Sequence, residues 1–329
     1  MEERDVVIVG AGPAGLSAAI FARLDGWDTL VLEANWVGGQ GAIAYTVVNY
    51  PGFLAGDGAE LMENMEKQVT LAPPSGVGAE LRHEEVREIN AEKRVVTTTD
   101  NWYKAKAIII ATGSKMHRLG VPGEEAFIGD GVSYSAKRDC SRFTGKKVLV
   151  IGGGNTTAKS ALLAKGVASR VILAHRRESL RAYPAMVKRL QKEGIEILYN
   201  TELKSIKGKR SVEEVVILNN KTGEEKETSV DWVIICAGTD PNTALAREAG
   251  IEMEDEFVKV NQQKMTDKTG IFACGEITGV QKHLISAASE GTCAGMAASE
   301  FLALERVRRG YIFEGSVNGK YADEYLAMV

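Results

Sequence analysis

Two glycine-rich turns, each followed at the same interval by charged side chains of opposite kind, carry the chemistry legible in this 329-residue chain. The first is Gly10-Ala11-Gly12-Pro13-Ala14-Gly15, and Glu33 follows its first glycine by 23 positions (10 to 33). The second is Gly152-Gly153-Gly154-Asn155-Thr156-Thr157; His175 follows by the same 23 positions (152 to 175), with Arg176, Arg177 and Arg181 behind it. Glycines at this spacing let backbone amides approach a pyrophosphate, and the positive end of the following helix faces the anion. A carboxylate at the end of the next strand accepts both hydroxyls of a ribose and repels a 2′-phosphate. Arginines there do the reverse. The first unit therefore suits the ADP half of FAD or NAD, the second the ADP half of NADPH. Charge-assisted hydrogen bonds contribute about 1.5–3 kcal/mol each. Two arginines would then supply roughly two to four decades of preference for NADPH over NADH, at about 1.4 kcal/mol per decade.

The elements that must hold these residues are equally plain. Apolar runs Val6–Val9 and Val148–Ile151 precede the two turns, Leu16 to Leu24 reads as a helix, and Thr29–Leu32 and Val171–Ala174 read as the second strands. The same βαβ unit thus occurs twice, and the length suffices for two domains with separate cores. A formal net charge of −4 argues against a nucleic-acid partner. No apolar run is long enough to span a bilayer and no basic leader precedes the first strand, so a cytoplasmic protein without a membrane partner is expected. The cysteines are Cys140, Cys236, Cys274 and Cys293, the closest two 19 positions apart (274 to 293). That spacing excludes a CxxC pair and gives no metal-ligand pattern, so no metal is expected. Cys236 and Cys274 sit in apolar runs and read as small core residues.

Further motifs follow in a fixed order: Gly38-Gly39-Gln40, Asn49-Tyr50-Pro51-Gly52, Ala111-Thr112-Gly113, His175-Arg176-Arg177 with Arg181, Ala237-Gly238-Thr239-Asp240-Pro241-Asn242-Thr243, and Gly275-Glu276-Ile277. In this order, from about residue 5 to residue 303, the chain resembles the thioredoxin-reductase-like branch of the FAD-dependent pyridine nucleotide oxidoreductases. The resemblance implies an α/β fold of two Rossmann-like, three-layer dinucleotide-binding domains, the NADPH domain inserted in the FAD domain. Residues 1–117 and 244–329 would form the FAD domain, with a C-terminal extension at 304–329, and residues 118–243 the NADPH domain. The crossings, near Lys115–Leu119 and Pro241–Ala246, would act as a hinge. It also implies a homodimer. FAD would be held by Gly10, Gly12, Pro13, Ala14, Gly15, Glu33, Gly39, Gln40, Asn49, Ala111, Thr112, Gly113, Gly275 and Glu276, the last in place of the usual Asp. Lys282, His283 and Leu284 replace the relatives' Arg-Gln-aliphatic, which makes His283 the candidate for touching the flavin pyrimidine edge. NADPH would be held by Gly152, Gly154, Asn155, Thr156, Thr157, His175, Arg176, Arg177 and Arg181. Thr157 stands where a small Gly or Ala usually lets helix and strand pack closely.

One departure decides the chemistry. Relatives place a cysteine pair in Gly-Val-x-Tyr-Cys-Ala-x-Cys-Asp, where this chain reads Gly131-Val132-Ser133-Tyr134-Ser135-Ala136-Lys137-Arg138-Asp139. Ser135 and Arg138 occupy the thiol positions, and thiol–disulfide relay needs one attacking and one resolving thiol. The expectation is an NADPH-dependent FAD oxidoreductase with a non-disulfide acceptor, a ferredoxin- or flavodoxin-like carrier foremost. Two alternatives stand beside it: a disulfide reductase working by an atypical route through Cys140, and a flavin-binding sensor or assembly subunit with little turnover. The stretch Lys137–Lys147 holds five cations and one acid and suits an acidic carrier. The C-terminal extension would either pack against the partner subunit or lay Tyr321 or Tyr325 over the flavin, as extensions do in ferredoxin-reductase relatives.

Overall fold

The computed structural model describes residues 1–44, 46–71 and 79–308. The chain opens with β1 (Glu2–Val9), α1 (Pro13–Leu24), β2 (Thr29–Glu33), α2 (Gly39–Ala42), α3 (Gly58–Thr70) and β3 (Ala79–His83), then a meander of β4 (Val86–Asn90), β5 (Val95–Thr98) and β6 (Trp102–Ile110). The sheet order is β3-β2-β1-β6-β5-β4, with β1, β2, β3 and β6 mutually parallel. Both faces of such a sheet are covered, so its strands are apolar throughout rather than alternating. Val6, Val7, Ile8 and Ile108 to Ile110 are accordingly all buried. Helix α1 begins at Pro13, three residues before the sequence expectation, because proline at the first helical position lacks only an amide that would be unpaired anyway.

The inserted unit follows. It holds β7 (Ser114–Met116), β8 (Val132–Ser133), α4 (Ala136–Asp139), β9 (Lys147–Gly152), α5 (Asn155–Lys165), β10 (Arg170–Ala174), α6 (Pro184–Lys192) and β11 (Glu196–Leu198). A second meander, β12 (Thr201–Gly208), β13 (Val212–Asn219) and β14 (Glu225–Ser229), precedes β15 (Trp232–Cys236) and β16 (Thr239–Pro241). Its main sheet is wholly parallel in the order β11-β10-β9-β15-β8. The chain then rejoins the first unit through α7 (Ala244–Glu248), β17 (Met253–Glu254), β18 (Phe257–Val258), β19 (Ile271–Ala273) and α8 (Leu284–Arg308).

Two compact units result: Met1–Ala42, Val48–Gly113 and Asn242–Val329 form one, Ile43–Val47 and Ser114–Pro241 the other. The boundaries differ from the expected 117/118 and 243/244. The two crossing segments, β7 and β16, pair antiparallel with each other and so go with the insertion. His117 Nδ1 and Asp240 Oδ1 add a 2.8 Å contact across that ribbon. Among the described residues no helix is long and apolar enough to cross a membrane.

Strand β6 serves two neighbours in turn. Its first half pairs antiparallel with β5, and its second half parallel with β19, Ile271 opposite Ile108 and Ala273 opposite Ile110. Ile110 is also opposite Val9, so the C-terminal ends of β1, β6 and β19 lie level. Helix α8 then packs on α1 with no side chain between them. A Cβ on Gly291 would lie 2.0 Å from the Ala14 carbonyl oxygen, and one on Gly295 2.5 Å from that of Ala18.

Replacing a mid-helix glycine by alanine ordinarily stabilises by about 1 kcal/mol through helix propensity. Gly291→Ala is expected to do the opposite, lowering stability by about 1–3 kcal/mol, because the two helices must part. A lower urea midpoint at unchanged slope would show it.

Candidate dinucleotide-binding sites

The first glycine turn is shaped by contact on two sides and left open on the third. Gly10 has φ +106° and a Cβ there would lie 2.4 Å from the Ala111 carbonyl oxygen; one on Gly15 would lie 1.9 Å from the Gly10 carbonyl oxygen. Gly12 differs. Its φ of −76° suits any residue, and no heavy atom lies within 4 Å of a Cβ built on it. Packing does not demand glycine there; an approaching ligand would. Gly12 is also the N-cap of α1, and no side chain caps that end, so first-turn amides of Ala14 and Gly15 are open to an anion.

Glu33 is held beside this opening. Its Oε2 accepts from the Ala11 amide at 2.8 Å and its Oε1 from the Asn35 amide at 2.9 Å. The turn Gly38-Gly39-Gln40 joins the same edge, since the Gly38 amide donates to the Ala11 carbonyl at 2.7 Å. Asn49 is exposed next to the Tyr50-Pro51-Gly52-Phe53 turn, where Gly52 has φ +85°. Thr112 donates its hydroxyl to the Asn242 carbonyl at 2.7 Å, and the Asn242 amide donates to Gly113 at 2.9 Å. Gly275, with φ +82°, opens a short 3₁₀ turn, Gly275–Thr278, that carries Glu276. A Cβ on Gly275 would lie 2.9 Å from that of Ala14, so this turn abuts the start of α1. Lys282 and His283 are exposed just before α8, and Leu284 begins it with its side chain toward Gly41. Gly10, Ala111 and Gly275 therefore converge at the carboxyl edge of β1, β6 and β19, the edge where open parallel sheets take their ligands. An acid, an uncapped helix start and an unneeded glycine together fit an extended adenine dinucleotide with two phosphates.

Three contributors escaped the sequence reading. The Glu290 carboxylate, from the second turn of α8, accepts from the Gly275 amide at 2.9 Å, from the Thr278 hydroxyl and from the Lys264 ammonium. An acid in a helix and a lysine in a loop carry no signal by themselves.

The second turn repeats the first with different edges. Gly154, again the N-cap, has φ −97° and open space around a built Cβ. The segment carrying the arginines folds back onto the turn: the Arg181 and Ala182 amides donate to the Gly153 carbonyl at 2.7 and 3.1 Å. Asn155 Oδ1 accepts from the Tyr183 amide at 2.8 Å. Arg176, Arg177, Arg181 and Thr156 are exposed. None of the three guanidinium groups is ion-paired among the described residues, and the nearby acid, Glu178, is taken by Lys221. Three uncommitted cations beside a phosphate turn fit a 2′-phosphate.

Two residues expected to meet the nucleotide face the protein instead. The His175 ring is buried under the turn, where a Cβ on Gly153 would lie 2.2 Å from its Cε1. Burial pushes its pKa below the ordinary 6.5 and keeps the ring neutral. Thr157 is buried too. Its Oγ1 accepts from the Gly154 amide at 3.3 Å and lies 2.4 Å from where a Gly152 Cβ would be. The threonine thus fills the helix–strand gap that a smaller residue would leave closer, and it makes glycine obligatory at 152.

The segment in the thiol positions is a closed polar knot. Ser135 caps α4, its Oγ accepting from the Arg138 amide at 3.4 Å. Its own amide donates to Ser133 Oγ at 3.1 Å, and Ser133 donates to Asp139 Oδ2 at 2.6 Å. The Arg138 guanidinium donates to the same carboxylate at 3.0 and 3.3 Å. All four cysteines are unpaired. Burial pushes the Cys236 thiol up to about 11 and raises that of Cys274 as well, so both stay protonated and unreactive at neutral pH. Cys140 is half-buried.

The cationic run is partly committed to its own surroundings. Arg142 lies 4.9 Å over the Trp232 ring and 3.8 Å from Asp130. Lys147 starts β9, whose other end is Gly152, so Lys146 and Lys147 lie a strand length from the glycine turn, about 17 Å at 3.3 Å per residue. Lys137 and Arg138 lie in α4, and Arg142 in the turn that follows it. Tyr321 and Tyr325 lie outside the described residues.

The family model of pyridine nucleotide-disulphide oxidoreductases matches residues 4–291. The chain belongs to that family. It is 37% identical over 303 residues to thioredoxin reductase of Treponema pallidum (strain Nichols), covering 91% of this chain and 97% of that one. It is 33% identical over 304 residues to a 34.2 kDa protein in the rubredoxin operon of Clostridium pasteurianum, covering 92% and 98%. Among solved structures, thioredoxin reductase of T. acidophilum matches with a TM-score of 0.83 at 32% identity, over 91% of this chain and 99% of that one. That of Lactococcus lactis gives 0.84 at 33%, over 92% and 99%. The protein is an oxidoreductase of the thioredoxin-reductase type with two Rossmann-like domains, and FAD and NADPH are the cofactors of that type.

Removing two of the three exposed guanidinium groups, in Arg177→Ala/Arg181→Ala, is expected to raise the Kd for NADPH by about two decades or more, at 1.5–3 kcal/mol per lost charge-assisted bond. The Kd for NADH should change little. Calorimetric titration with both nucleotides checks the difference.

Proposed function

We propose that this chain takes electrons from NADPH and passes them, through FAD, to an acceptor other than a disulfide, a small acidic carrier of the ferredoxin or flavodoxin kind. The observation that carries the reading is the hydrogen-bonded cluster of Ser133, Ser135, Arg138 and Asp139, with serine and arginine where a thiol pair would have to work. FAD, when bound, accepts a hydride from NADPH and can release its electrons one at a time or in pairs.

The residues divide the remaining work. The Ala14 and Gly15 amides, with Gly12 open above them, would hold the FAD pyrophosphate, and Glu33 the adenosine ribose. Ala111 to Gly113 and Gly275–Glu276 would line the flavin side, with Gly39, Gln40 and Asn49. Gly154, Asn155 and Thr156 would take the NADPH pyrophosphate, and Arg176, Arg177 and Arg181 its 2′-phosphate. Thr157 and His175 would act beneath the turn by shaping it. Lys137, Arg138 and Arg142 would offer the cationic face on which an acidic carrier docks, chiefly speeding and orienting its approach. The rubredoxin operon that houses the Clostridium pasteurianum relative favours a protein carrier over a disulfide. By family likeness the working form is a homodimer in the cytoplasm.

Mixed anaerobically with NADPH in a stopped-flow instrument, the yellow protein should bleach quickly, and NADH should act far more slowly. The bleached protein should then be reoxidised by ferredoxin or flavodoxin and left reduced by thioredoxin disulfide. Steady turnover of a disulfide that disappears in Cys140→Ser would sink this reading in favour of an atypical disulfide route. Failure of either nucleotide to bleach the flavin would favour a sensor or assembly role.

A further inference from the structure

The Gly275–Thr278 turn is held from behind by a partly buried ion pair that takes no part in the nucleotide turns. Glu290 and Lys264 expose 13% and 19% of their side chains. One carboxylate oxygen of Glu290, Oε2, serves both the Gly275 amide and the Thr278 hydroxyl, while Oε1 serves Lys264. Lys264 is itself set in an unusual backbone state, with φ +61° at a residue other than glycine. Its carbonyl accepts from the Ala273 amide at 3.0 Å and its amide donates to the Asn261 carbonyl at 3.1 Å. Such left-handed residues persist where surrounding bonds over-determine them, often beside functional sites.

We infer that Glu290, charge-balanced by Lys264, is the positioning residue that fixes the Gly275–Glu276 turn for FAD; this rests on the FAD site proposed above. The chemistry demands a carboxylate. Three donors converge on two oxygens, and an amide offers one oxygen and two further donors. Glutamine at 290 can accept from the turn or from Lys264, and its NH₂ group then confronts whichever donor is left. Because the turn abuts Ala14, a shift there also alters its spacing from the first glycine turn.

The inference is tested by titrating flavin-free protein with FAD, following the quenching of flavin fluorescence and the visible circular dichroism of the bound flavin. Glu290→Gln should raise the Kd for FAD roughly tenfold or more, as losing a charge-assisted bond at the turn requires, and should change the dichroism. In Lys264→Met/Glu290→Gln the amide oxygen is free for the turn again, and most of the affinity and the original dichroism should return. An unchanged Kd and dichroism in Glu290→Gln overturns the inference, as does a loss that the double variant fails to recover. Unaltered protein that binds no FAD removes the FAD site, and this inference with it; normal binding by the unaltered chain confines a failure to Glu290.

Discussion

How closely α1 lies against α8 governs the first unit. Ala14 meets Gly291 and Ala18 meets Gly295, so the two helices run parallel with their backbones in contact. Both therefore point their positive ends the same way. Because α8 begins at Leu284, seven positions before Gly291, it extends past the start of α1 by six residues, about 9 Å at 1.5 Å per residue. One helix start thereby lies at the first glycine turn and the other about 9 Å further out. Level strand ends complete the arrangement, since Val9, Ile110 and Ala273 finish together beneath it.

The inserted unit uses the same turn to a different end. Its glycine loop is clasped from outside by the backbone of residues 181 to 183, and from beneath by the His175 ring and the Thr157 hydroxyl. With the loop fixed by backbone and buried groups, the arginine side chains are left uncommitted. The distinction between an acid and three cations after otherwise equivalent strands is what would separate the two proposed nucleotide preferences. In the function proposed above, the serine cap and arginine–aspartate pair at residues 135 to 139 leave the flavin as the last electron carrier.

Much of this was legible from residue order. Strands covered on both faces show as unbroken apolar runs, and Gly10, Gly15 and Gly152 are demanded by contacts too close for any side chain. Direction was harder to read than position. The spacing places His175 and Thr157 correctly along the chain but cannot say that both turn inward, because that depends on how residues 181 to 183 fold back. The lysines and arginines at 137 to 147 are adjacent in sequence, but sequence alone does not show that Arg138 is spent on Asp139 and Arg142 on Asp130 and Trp232. Glu290 and Lys264 meet only through the path of β19 and α8, a pairing that no local pattern encodes. The domain boundary shifted for a similar reason: the crossing segments satisfy their backbone groups with each other.

Counting electrons tests directly whether the flavin is the sole redox centre. Protein carrying one FAD per chain would be titrated anaerobically with dithionite while flavin absorbance is followed. Uptake of two electrons per flavin, with bleaching linear from the first addition, is the predicted result. Uptake of four, or a lag before bleaching is complete, would show a second two-electron group such as a disulfide and would contradict the account.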